Sequence, residues 1–145
     1  MYVVFTVTPY HRNIARALLK EPKVYFYDTG AVRGDIGAKL ENTVAVSLIK
    51  HLHFLEDTEG VDVRLHYIRD KEKREADFVI LKDRNPIQVI EVKTSDEHLA
   101  PALHYYRQRL NASDAVQLVL NVKRTRSVEG VLITSAAEWL DGLAI

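Results

Sequence analysis

Asp77, Glu91 and Lys93 are the residues of this chain whose types and spacing could do chemistry together. They fall within EADFVIL, KDRN and PIQVIEVK, two apolar runs around a short polar break, which is the pattern of a β-hairpin. Side chains alternate faces along a strand, so Ile87, Val89, Glu91 and Lys93 share one face of the second strand. Gln88, Ile90, Val92 and Thr94 share the other, and on the first strand Asp77 shares its face with Val79 and Leu81. With Asp83, Arg84 and Asn85 as the loop and Lys82 opposite Pro86, Asp77 lies directly across from Glu91. A loop one residue longer turns Asp77 to the opposite face.

Opposed carboxylates roughly 5 Å apart repel by about 3 kcal/mol at an effective dielectric of about 20. The arrangement calls for a cation between them, and Lys93 or a divalent metal can fill that place. The second strand is apolar on both faces before its end, as central buried strands are, and charge at the end of such a strand points to a site. The plainer alternatives are exposed strand charges, and Lys93 as a simple salt-bridge partner.

Those strands need a scaffold, and the chain has the material for one. It has 145 residues, 47% hydrophobic and 28% charged, the profile of one globular domain. The formal net charge is zero, which argues against wholesale nonspecific nucleic-acid binding and leaves room for a local basic groove. Cysteine is absent, so disulfides, thiolate zinc sites and cysteine nucleophiles are excluded. No apolar run reaches the roughly 20 residues of a membrane span, and MYVVFTVTPY lacks the features of a signal peptide. A cytoplasmic protein with no membrane partner is expected.

In chain order, Val3–Val7 reads as a strand, Asn13–Lys20 as a short helix and Lys23–Tyr27 as a second strand closed by Asp28-Thr29-Gly30. A helix is predicted from Asp35 or Gly37 to Leu55, with Leu40, Val44, Leu48, Leu52 and Leu55 at helical spacing. Glu41 lies on that apolar stripe, where a carboxylate needs a partner or a proton. The alternative is an edge-of-stripe glutamate favoured by the helix dipole. Val61–Arg69 alternates as a strand before the basic turn Lys71–Arg74. A helix capped by Asp96 or Ser95 runs to Leu110 with Leu99, Leu103, Tyr106 and Leu110 buried, and Ala115–Val122 is a strand apolar on both faces. Lys123, Arg124 and Arg126 form a second basic turn, Val128–Ile133 is a last strand, and Ser135 caps a last helix. The order helix, three strands, helix, strand gives an α/β fold with a mixed sheet flanked by helices. Residues 1–34 are an N-terminal extension, 35–134 the core and 135–145 the C-terminal helix of one domain.

Glu41 on a first helix, Asp77 on the second central strand and Glu91-Val92-Lys93 on the third resemble the PD-(D/E)xK nuclease superfamily, whose core is restriction-endonuclease-like αβββαβ. PYHRNIARALLKEPKVYFYDTG, GAKLENTVAVSLIKHL, READFVI and PIQVIEVK, in that order, resemble the C-terminal domain of a bacterial and archaeal AAA-type ATPase family. That family carries a nucleotide-binding module upstream, and no GxxxxGK[ST] loop occurs here. A separate domain, a truncated gene or a fragment is therefore expected, with any ATPase acting in trans.

The resemblance implies Mg²⁺- or Mn²⁺-dependent hydrolysis of DNA phosphodiesters. Asp77, Glu91 and the Val92 carbonyl are implied as metal ligands, with Glu41 binding directly or through water and Lys93 orienting the attacking water. DNA-contact candidates are Lys71, Lys73, Arg74, Tyr105, Arg107, Arg109, Lys123, Arg124 and Arg126. Two other functions stay open: an inactive DNA-binding or regulatory module associated with the ATPase, and a structural domain for oligomerisation, a homodimer included. His51 and His53 diverge on their helix, so a zinc site is not expected.

Overall fold

A computed structural model describes residues 3–12, 20–95 and 98–143. The hairpin becomes β4 (Glu75–Lys82) and β5 (Asn85–Ser95), preceded by β3 (Val63–Arg69) and followed by β6 (Asp114–Asn121). With β7 (Arg126–Val128) and β8 (Val131–Ser135) they form a six-stranded sheet in the order β3-β4-β5-β6-β8-β7. Neighbours β3, β4 and β5 run antiparallel, while β5–β6 and β6–β8 are parallel. This is the expected α/β architecture with a mixed sheet.

Both sheet faces are covered. On one lies α1 (Ile36–Glu59), whose Leu40, Val44, Leu48 and Leu52 are buried with Phe78, Ile80 and Ile90. On the other lies α2 (Pro101–Arg109), whose Leu103 and Tyr106 are buried with Val79, Leu81 and Val89. Double cover explains why β5 and β6 are apolar on both faces. Asp35 starts α1 by accepting from the Ala38 amide at 2.9 Å, and Gly60, at φ 67°, ends it in the left-handed region. The last helix, α3 (Ala136–Asp141), is capped by Ser135 as expected. Among the described residues no helix is long and apolar enough to cross a membrane.

A separate two-stranded sheet, β1 (Val4–Val7) with β2 (Lys23–Phe26), packs against α1 through Tyr25. Asn42 on α1 fixes it. Its side chain accepts from the Phe26 amide at 2.8 Å and donates to the Phe26 carbonyl at 2.9 Å, so it imitates a neighbouring strand. Asn42 is only 3% exposed, and water cannot easily replace it.

Several details depart from the sequence reading. The β4–β5 turn has two residues, Asp83 and Arg84, both at positive φ (50° and 67°), with Lys82 paired to Asn85. That is the hairpin turn whose twist suits its flanking strands. A bulge between Ile80 and Leu81 then takes up one extra residue on β5, so Ile80 pairs with Gln88 and Phe78 with Ile90. The expected placement of Asp77 across from Glu91 survives, by a shorter turn plus a bulge. The strand expected over Val128–Ile133 is broken at Glu129 and Gly130, both at positive φ, and folds back as the β7–β8 hairpin. Arg126 is accordingly on a strand rather than in a turn. α2 starts at Pro101 with Ala100 before it; Ser95 belongs to β5, and Asp96 lies outside the described residues. The helix expected from Asn13 also falls outside them, over 13–19.

Asn42→Ala tests the clamp. It leaves the Phe26 amide and carbonyl without their partners, and stability should fall by about 1–3 kcal/mol in urea unfolding.

Candidate carboxylate–lysine site

Backbone irregularity sets the direction of Asp77. His66 pairs with Val79 and Ile68 with Ala76, so Asp77 and Phe78 together oppose Tyr67 in a β-bulge. The alternation expected for Asp77 is broken there. Val79 and Leu81 pack toward α2, whereas the Asp77 carboxylate turns toward Lys23 and Glu41 on the α1 side.

Strand pairing between β4 and β5 stops at Phe78–Ile90, and side chains take over. The Val92 amide donates to Asp77 Oδ2 at 2.9 Å, and the Asp77 amide donates to Glu91 Oε2 at 3.3 Å. Lys93 Nζ lies 3.6 Å from Glu91 Oε1. The role expected of one cation between the two carboxylates is divided: Lys93 pairs with Glu91, while Lys23, from β2, reaches Glu41 Oε1 at 3.3 Å, Asp77 Oδ1 at 3.8 Å and the Glu75 carboxylate. Its ammonium also stands 4.9 Å from the centre of the Tyr67 ring. Tyr25 donates to Glu41 Oε1 at 2.6 Å, which supplies the partner that Glu41 requires on its apolar stripe.

The site therefore brings together Glu41, Asp77, Glu91, Val92 and Lys93, as expected, and adds Lys23, Tyr25 and Glu75. Lys23 and Tyr25 sit two apart on β2, and Glu75 sits two before Asp77, each pair with the spacing of one strand face. That spacing was the signal available. No rule links a remote short strand to this site before the fold is known.

Electrostatics follow from crowding and burial. Burial raises the pKa of Glu91, and Asp77 beside it raises it further against the pull of Lys93. Burial likewise raises Asp77, and Glu41 adds to it, against the Val92 amide and Lys23. Burial alone would lower Lys23; Glu41, Glu75 and Asp77 outweigh it and hold the ammonium above its ordinary value. Tyr25 is raised by burial and by Glu41, so its hydroxyl keeps its proton.

Carboxylate and carbonyl oxygens are the donors that a hard divalent ion takes, and Mg²⁺ commonly uses one or two carboxylates with waters. Asp77, Glu91 and the Val92 carbonyl fit that chemistry. Among the described residues no three His, Asp or Glu side chains are grouped as a complete metal cage, and Lys23 stands among Glu41, Glu75 and Asp77.

The DNA-contact candidates divide into separate places. Lys71, Lys73 and Arg74 lie on the β3–β4 connection, and Lys71 and Arg74 share a cleft with Tyr105 and Arg109 of α2. Arg74 is engaged: it binds Asp70 at 2.6 Å and Glu72 at 3.3 Å and stacks 3.9 Å from the Tyr105 ring centre. Arg107 donates to the Gly130 carbonyl at 2.8 Å, which ties α2 to the β7–β8 turn. Lys123, Arg124 and Arg126 lie at the opposite sheet edge, where Arg126 donates to the Arg124 carbonyl at 3.3 Å.

Fold and site thus define an α/β domain with a carboxylate–lysine cluster where two central strands part. Residues 36–138 match the family described as "Domain of unknown function (DUF4143)", and the chain belongs to that family. The matched region holds Glu41, Glu75, Asp77, Glu91 and Lys93 but not Lys23 or Tyr25. No curated protein and no solved structure matches the chain.

Raised carboxylate pKa values mean that the folded chain holds protons that the unfolded chain has lost. Stability then falls as pH rises from the ordinary carboxylate range through the raised values. Glu91→Gln removes that burden at alkaline pH only. Its melting temperature without metal should exceed that of the wild type at about pH 8, by a stability gain of roughly 1–3 kcal/mol, and match it at about pH 5. Equal loss at both pH values would make Glu91 a salt-bridge partner of Lys93 and nothing more.

Proposed function

We propose that this domain is a metal-dependent DNA endonuclease of the PD-(D/E)xK type. The observation that carries the reading is the Asp77–Glu91 pair at the end of the β4–β5 pairing, with Lys93 beside Glu91. Asp77 and Glu91, with the Val92 carbonyl, would hold Mg²⁺ or Mn²⁺. The bound ion would lower the pKa of a water and polarise the phosphate. Strand residues point their amide and carbonyl to the same neighbour, so the Val92 carbonyl is directed to the Asp77 side with its amide. Lys93, partly exposed, donates hydrogen bonds to the attacking water or the phosphate and balances charge growing there. Glu41, held by Tyr25 and Lys23, acts through water. The resemblance of its sequence blocks to the C-terminal domain of AAA-type ATPases supports a partnership with such an ATPase in trans.

A second reading has its own observation. Lys23 already balances Glu41, Glu75 and Asp77, as a charge-compensated cluster without metal would require. In that reading the domain binds DNA or its ATPase partner without cutting.

Three variants separate these readings. Asp77→Asn and Glu91→Gln should weaken Mn²⁺ binding in calorimetry and reduce cleavage of supercoiled and branched DNA. Lys93→Ala should keep metal binding and still lower cleavage by about 10²-fold or more, the usual effect of a lost transition-state donor. Metal binding without cleavage in the wild type selects the inactive module. Absence of metal binding sinks the nuclease reading.

A further inference from the structure

A second concavity lies on the α2 side of the sheet. It is a cleft of about 480 Å³ between the β3–β4 connection, the end of α2 and the Tyr10–Arg12 segment. Among the described residues its lining carries six Lys or Arg side chains against two carboxylates, in a chain whose net charge is zero. Both carboxylates, Asp70 and Glu72, are engaged by Arg74. Among the described residues, Arg69, Lys71 and Arg109 make no ion pair within 4.0 Å, so the cleft keeps an excess of positive charge.

The floor is fixed rather than loose. Arg74 lies over Tyr105 and donates to its hydroxyl at 3.2 Å, and Tyr106 donates to the Arg74 carbonyl at 2.7 Å. Planar guanidinium and phenol groups beside exposed cations suit a ligand that alternates flat bases with phosphates. The volume is that of a site for one drug-sized ligand, the scale of a nucleotide unit, and a duplex cannot enter it. Arg74 immediately precedes β4, three residues before Asp77, about 10 Å away at the strand rise.

We propose that this cleft binds a single-stranded segment of DNA. Arg69, Lys71 and Arg109 take its phosphates, and the stacked Arg74–Tyr105 pair supports its bases. The proposal shares with the reading above that DNA is the ligand, and does not depend on cleavage.

The test uses the full chain and a short labelled single-stranded oligonucleotide, read by fluorescence anisotropy in metal-free buffer, with the matching duplex for comparison. The wild type should prefer the single strand and lose affinity as salt rises. Lys71→Glu with Arg109→Glu, both exposed positions, should weaken binding at least tenfold at an unchanged melting temperature. Lys123→Glu with Arg124→Glu should weaken it less than the cleft pair. Unaltered affinity in the cleft variant, equal affinity for duplex, or no binding at low salt would each overturn the assignment. Thymidine monophosphate that competes at the oligonucleotide's own concentration would also overturn it, in favour of a free nucleotide. Binding that follows these expectations in a protein that never cuts DNA would leave the cleft assigned and the nuclease reading rejected.

Discussion

Negative charge gathered where two central strands part has to be balanced, and much of this structure serves that requirement. Glu41, Glu75, Asp77 and Glu91 come from a helix and two strands and meet where the β4–β5 pairing ends. Lys23 reaches three of them from another sheet, and Lys93 reaches the fourth. Backbone amides take part as well, because the Val92 and Asp77 amides donate to carboxylates where strand pairing has stopped. Like charges at such range stay together only with compensation of this kind.

Two bulges place the acids. One, opposite Tyr67, turns Asp77 out of the alternation of its strand and toward α1. The other, near the turn, offsets the short Asp83-Arg84 loop and keeps Asp77 level with Glu91. A regular hairpin with this turn would shift the register by one residue and send the carboxylates to different partners. Irregular backbone next to a cluster of charges is a recurrent way of aiming a side chain.

Legibility from the sequence followed the range of the forces involved. The α1 stripe from Leu40 to Leu52, the doubly apolar β5 and β6, and the Ser135 cap are local patterns, and each is found where the sequence puts it. Glu41, Asp77, Glu91 and Lys93 were legible as charges out of keeping with apolar surroundings, and they do converge. Lys23 and Tyr25 were not, because an ordinary strand residue gains its meaning only when Asn42 docks β2 on α1. Turn length was misread because a bulge and a shorter loop leave the same residues opposite. The break at Glu129-Gly130 was missed because its flanking residues continue the apolar pattern.

The acids and their main counter-charge reside on different pieces of chain. The region shared with the family, residues 36–138, contains every carboxylate of the cluster, while Lys23 and Tyr25 come from the four residues of β2. β2 is held to α1 by an asparagine that grips backbone, and a backbone grip is indifferent to the side chains it carries. Lys23 can therefore be exchanged for a neutral residue with the Asn42–Phe26 hydrogen bonds kept, and the acids then need another counter-charge or a proton. The net charge of the cluster is thus an independently adjustable property, which sequence drift can reset at one position while the sheet that presents the acids stays the same.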